Sequence, residues 1–130
     1  VKLNYLNEEI VRRREIARRY RLGLQSIDDL TLPPGPDHVG DRYDAFQNYE
    51  IESGRRDELR AWLEQHGIRT IIQWGGKAVH QFQGLGFEQL RLPRTERLFK
   101  RCFLLPMNTS LSDDDVEYIC HTIREFYNRD

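Results

Sequence analysis

Apolar residues along this chain switch between a helical spacing and a strand alternation, and that switching limits the folds open to it. Leu3, Leu6, Ile10, Ala17, Tyr20 and Leu24 recur at three, four or seven residues, which marks one face of a helix over 3–24. AFQNYEIE, residues 45–52, reads as a strand with Phe46 on one side and Tyr49 and Ile51 on the other. After Gly54, RRDELRAWLEQHG predicts a short helix with Leu59, Trp62 and Leu63 inward and Gly67 as its stop. IRTIIQW, residues 68–74, is expected to be a central strand: Ile68, Thr70, Ile72 and Trp74 share one face, and Ile71 holds the other. Pro93 suits the first turn of a further helix, with Leu98, Phe99 and Cys102 inward. LLPMN, residues 104–108, is a short extended piece. In the last helix, Ser112 caps the free amides, Asp115 completes a capping box, and Val116, Ile119, Cys120, Ile123 and Phe126 face the core. Helix, strand, helix, strand, helix, short strand, helix predicts an α+β fold, a small antiparallel or mixed sheet of about three strands packed against helices.

The punctuation agrees with this order. TLPPGPDHVGD, residues 31–41, holds three of the five prolines and two glycines and is expected to be a loop. Gly23 is expected to weaken or stop the first helix. A length of 130 residues suits a single domain over 1–130. Twenty basic residues against twenty-one acidic ones leave a net charge of −1, which gives no field for nucleic acid or an anionic membrane. The basic cluster 12–14 is read as a solvated helix face with Glu8, Glu9 and Glu15 as partners. Two cysteines, Cys102 and Cys120, are too few for a disulfide framework. Both fall in helical patterns and are read as small buried hydrophobes. No apolar run is long enough to span a membrane and no signal-peptide pattern is read, so the expected compartment is the cytoplasm.

Motifs for phosphate loops, dinucleotide folds, zinc proteases and serine hydrolases are absent from the sequence. Cys120 and His121 are helix neighbours that point about 100° apart. With only Cys102 besides, no metal site or Cys–His nucleophile is expected. His38 is expected to be exposed and idle, and His66 to complement the dipole at a helix end. One stretch carries more chemistry: IIQWGGKAVHQF, residues 71–82. Trp74 can stack or close a pocket, and Lys77 can bind a phosphate or carboxylate. His80 can donate a hydrogen bond to a sugar hydroxyl or share a proton. The plainer reading makes Trp74 core, Lys77 solvated and His80 a turn cap.

Five blocks then carry a resemblance over nearly the whole chain: RRREIARRY (12–20), RRDELRAWLEQHGIRTII (55–72), VHQF (79–82), LPRTERLFKRCFLLPMN (92–108) and LSDDDVEYICHTIREFY (111–127). In order and spacing they resemble the C-terminal region of the DegT-type sugar aminotransferases. The resemblance implies the small C-terminal domain of a fold-type-I, pyridoxal-phosphate-dependent enzyme. Such enzymes transfer an amino group, usually from glutamate, to a nucleotide-linked keto sugar, and are typically homodimers with active sites between subunits. It also implies that the Schiff-base lysine and most phosphate contacts belong to a large domain not in this sequence. Neither Lys77 nor Lys100 sits in the Schiff-base motif, so no catalytic or cofactor-binding residue is assigned and no pyridoxal phosphate is expected on this chain alone.

His80 matches the family's loop histidine, Trp74 its aromatic position, and Gln73 a position that often holds histidine. The substrate-binding candidates are therefore Gln73, Trp74, Lys77 and His80. Gly75-Gly76-Lys77 replaces the usual proline turn. Gln47 and Asn48 lie where relatives carry an aromatic-polar pair. Two rival readings remain: a non-enzymatic binding or assembly module with the same fold, and a relative that dehydrates rather than aminates. The first residue is Val1, inside a helical pattern, so the chain is read as part of a longer protein. An exposed apolar patch and self-association are expected.

Overall fold

The computed structural model describes residues 2–38, 40 and 43–129, with Lys2 through its backbone alone. Val39 and Asp41, both in the expected loop 31–41, lie outside the described residues. Four α-helices and three strands follow in the order α1 (Leu6–Leu24), β1 (Leu30–Thr31), β2 (Tyr49–Ser53), α2 (Arg56–Gln65), α3 (Pro93–Arg101), β3 (Cys102–Leu105) and α4 (Asp113–Asn128). The sheet runs β1-β2-β3 and is antiparallel throughout. This is the α+β architecture that the two spacings predict.

Register puts Tyr49 opposite Leu105 and Ile51 opposite Phe103, so these four share a face. Against that face lie Ile16, Ala17, Tyr20 and Leu24 of α1, Leu59 and Leu63 of α2, and the apolar stripe of α4, all buried. Val116, Ile119, Cys120, Ile123 and Phe126 of α4 face the core as their spacing requires. Ser112 accepts from the Asp115 amide at 3.0 Å while Asp115 accepts from the Ser112 amide at 2.8 Å, a complete capping box. Gly23 does not stop α1. A Cβ there would lie 2.7 Å from the Cys120 sulfur, so the glycine lets α1 and α4 approach. The arginines of α1 reach beyond their own helix: Arg12 and Arg19 pair with Asp113, and Arg18 pairs with Asp37.

Three expectations need correction. Residues 68–74 do not form the central strand; β2 does. Only Ile71 touches the sheet, through a single bridge to Leu104, and its side chain is exposed. Phe46 does not alternate away from Tyr49: its positive φ of 50° swings it into the core, where the two rings stack at 6.2 Å. The third helix ends at Arg101, so Cys102 opens β3 rather than lying on a helix, and Leu98 is exposed. An extended run of buried side chains on both faces outweighs helical spacing there.

A partly buried polar cluster ties the sheet to α4. The Asp29 carboxylate accepts from the Ser53 hydroxyl and the Tyr127 hydroxyl, each at 2.8 Å, and from the Gly54 amide at 2.9 Å. Burial alone would push this carboxyl up. The bonds from Ser53, Tyr127 and the Gly54 amide outweigh it and hold Asp29 below the usual carboxylate range.

Candidate functional site

After the bridge at Ile71 the chain makes a left-handed turn. Trp74, Gly75 and Gly76 have φ of 55°, 63° and 72°. Glycine takes that conformation freely; an L side chain pays about 1–2 kcal/mol for it. A Cβ at Gly76 would also crowd the Ile72 side chain at 3.2 Å. The Lys77 amide closes the turn on the Trp74 carbonyl at 3.3 Å. Trp74 is 74% exposed, so it is not core. Lys77 is exposed and Gln73 half-buried.

His80 turns the other way. It is 7% exposed, and its Nε2 lies 3.0 Å from Glu96 Oε1 on α3. A carboxylate acceptor requires the proton on that nitrogen. Glu96 Oε1 also accepts the Leu92 amide at 3.0 Å. That amide first, and His80 second, hold the Glu96 carboxyl below its ordinary range. Gln81 adds a bond from the Ala78 amide to its side-chain oxygen at 3.0 Å. Nε2 is therefore not free for a sugar hydroxyl in this arrangement. The four candidates separate: Trp74 and Lys77 face solvent, Gln73 lies along the turn, and His80 anchors the loop to α3. Glu96 was not singled out by sequence. It stands sixteen residues from His80 in another block, and no spacing rule connects them.

Residues 81–94 are exposed throughout, yet they contain Phe82, Leu85, Phe87, Leu90 and Leu92. Local bonds order this segment: the Gly84 amide donates to Glu88 at 2.7 Å and the Leu90 amide to the Phe87 carbonyl at 2.9 Å.

A groove of about 630 Å³ lies at the end of β3, lined among others by Asn48, Arg69, Ile71, Met107, Asn108 and Tyr118. A smaller recess of about 310 Å³ runs beside α2 at Arg60, Glu64 and Thr70. None of Gln73, Trp74, Lys77 or His80 lines either one, and neither is lined by a lysine. Of the remaining histidines, His66 ends α2 with Nδ1 2.8 Å from the Trp62 carbonyl, His121 lies 3.4 Å from Glu125, and His38 is exposed. Among the described residues no group of three or more His, Cys, Asp or Glu could hold a metal ion. No helix of the described residues is long and apolar enough to cross a membrane.

Comparison with known proteins accounts for the five sequence blocks. The pattern of the DegT/DnrJ/EryC1/StrS aminotransferase family matches residues 1–124. A protein named pleiotropic regulatory protein from Geobacillus stearothermophilus is 34% identical over 130 residues, covering 98% of this chain and 34% of that protein. A dTDP-3-amino-3,4,6-trideoxy-alpha-D-glucose transaminase from Micromonospora megalomicea subsp. nigra is 32% identical, with 95% of this chain and 34% of the transaminase covered. The crystal structure of the aminotransferase TlmJ from Streptoalloteichus hindustanus superposes with a TM-score of 0.87 at 32% identity, over 98% of this chain and 34% of TlmJ. The chain thus spans about a third of the length of the relatives it matches. With its pattern matched over 1–124 and its backbone shared with a solved aminotransferase, the chain belongs to the DegT/DnrJ/EryC1/StrS aminotransferase family.

Proposed function

We propose that the chain is the small C-terminal domain, over 1–130, of a pyridoxal-phosphate-dependent aminotransferase acting on a nucleotide-linked keto sugar. The observation that supports this most is the combination of a family match over 1–124 with coverage of only a third of each relative. In this reading the turn at Gln73, Trp74 and Lys77 shapes the substrate pocket, and His80 holds the turn in place through Glu96. Glutamate is the amino donor, and the working molecule is a cytoplasmic homodimer.

Among the described side chains no lysine fits the cofactor's covalent anchor. Lys77 and Lys100 are both exposed, whereas a lysine tuned for such chemistry is desolvated. When bound, pyridoxal phosphate supplies the electron sink for amino transfer. Here it belongs to the remaining two-thirds of a longer protein. The test compares the chain alone with the longer polypeptide, using glutamate and a dTDP-linked keto sugar. The chain alone is expected to give no amino transfer and no visible absorbance from lysine-bound cofactor, and the longer protein both. Lysine-bound cofactor forming at Lys77 of the isolated chain overturns this division. A second reading, a non-enzymatic module of the same fold, draws on the regulatory name of the Geobacillus relative. Its mark would be a longer protein that binds the sugar nucleotide without converting it.

A further inference from the structure

One oxygen of Glu96 takes two bonds that arrive from distant parts of the chain. The Leu92 amide reaches Oε1 at 3.0 Å, and His80 Nε2 lies 3.0 Å from the same atom. A carboxylate oxygen has two lone pairs, so one atom can accept both. The first bond alone would be an ordinary cap: Leu92 precedes the first turn of α3, where amides lack helical partners. The second is not a cap, since His80 stands sixteen residues before Glu96. Together they draw the two ends of the segment 81–91 to one atom, which is the closed base of a compact surface loop. That loop has no other tie. None of its residues belongs to the core. Its own bonds run inward: the Gly84 amide donates to Glu88 at 2.7 Å, and Arg91 Nη1 donates to the Glu88 and Leu90 carbonyls, each at 3.0 Å. Among the described residues no hydrogen bond joins 83–91 to the rest of the fold. On its other side, His80 ends the run that begins at the left-handed turn 73–77.

We propose that Glu96 is a positioning residue that acts as a single clasp: through one oxygen it shuts the loop 81–91 and fixes the turn 73–77 before it, so that both are held or released together. This rests on the aminotransferase reading above and deepens it, because it makes two exposed segments depend on one carboxylate that neither contains. The half-buried site of Glu96 suits the role, for bonds to a shielded carboxylate compete less with water.

The test follows backbone amide exchange of the chain at neutral pH by mass spectrometry. His80→Leu leaves the Leu92 cap in place. It is expected to speed exchange about tenfold over both 73–77 and 81–91, with β2 and α4 unchanged. His80→Gln, whose side-chain N–H can reach the same oxygen, should restore the slow exchange. Glu96→Ala should release both segments, and adding His80→Leu to it should do nothing further, because both changes remove the same bond. Glu96→Ala, at the less buried of the two positions, carries the test if His80→Leu does not fold. Glu88→Gln loosens the loop only from within, so it should speed 84–90 and leave 73–77 as it was. Exchange that rises only beside the substituted residue overturns the clasp. So does a double variant whose effects add, or a rise at 73–77 in Glu88→Gln. In the longer protein, with glutamate and a dTDP-linked keto sugar, His80→Leu is expected to raise KM for the sugar more than it lowers kcat, and His80→Gln to reverse this. An unchanged KM despite faster exchange overturns the positioning role. Exchange that ignores Glu96 removes this inference and leaves the aminotransferase reading intact. Failure of amino transfer by the unaltered longer protein removes that reading and leaves the exchange pattern standing.

Discussion

Tyr49 buries its ring in the core, tilted against Tyr20 with ring centroids 4.9 Å apart, yet its hydroxyl has no partner among the described residues. A buried hydroxyl left unpaired is a liability, and burial pushes its ionisation far up. Tyr49→Phe is therefore expected to raise stability by about 1 kcal/mol, read as an upward shift of the denaturation midpoint. Trp74 is the converse case, a large ring that the fold leaves outside. Trp74→Ala should change stability by no more than about 0.5 kcal/mol. Gly76→Ala, beside it, should lose about 1–2 kcal/mol, because alanine both dislikes a φ of 72° and meets Ile72. Denaturant unfolding of the two variants separates a residue kept for a ligand from one kept for the turn. Sequence singled out the stretch that holds Trp74, Lys77 and His80. It did not show that these residues would diverge, because His80 is turned inward by Glu96, a partner on a different element.

The elements divide in the same way. α4 was legible almost residue by residue, since its cap, its acidic first turn and its apolar stripe all obey one local period. Ser112→Ala should remove the cap and lower stability by about 1 kcal/mol, measured by thermal melting. Residues 68–74 looked like the best strand, and only Ile71 pairs. β-branched composition states a preference, but pairing needs a neighbour, and the left-handed turn at Trp74 ends the extension. The tie between the sheet and α4 at Asp29 was invisible for a similar reason: Asp29, Ser53 and Tyr127 come from three separate stretches. Its pH dependence has a definite sign. The folded Asp29 carboxyl is held below its unfolded value, so its contribution is complete above the ordinary carboxylate range. It is lost as the pH falls through the lowered folded value. Melting temperature should decline below about pH 4 in the unaltered chain. Asp29→Asn should start lower at neutral pH and decline less steeply on acidification.

For the molecule as a whole, the family was legible because its blocks keep their order along the chain, and the backbone of TlmJ follows them. The layout that no block revealed is the long exposed run 81–94, with five large apolar side chains each left 41–53% exposed. A surface of this kind associates. Sedimentation at rising concentration should show self-association, and replacing Phe87 and Leu90 with lysine should reduce it without altering the melting curve. A monodisperse monomer at high concentration would contradict that expectation. The close crossing of α1 and α4 has another consequence. Burial pushes the Cys120 thiol up to about 12, and its sulfur occupies the space a side chain at Gly23 would need. A disulfide reagent can reach that sulfur only after the two helices part. The pace at which Cys120 is labelled therefore serves as a built-in clock for how often this crossing opens.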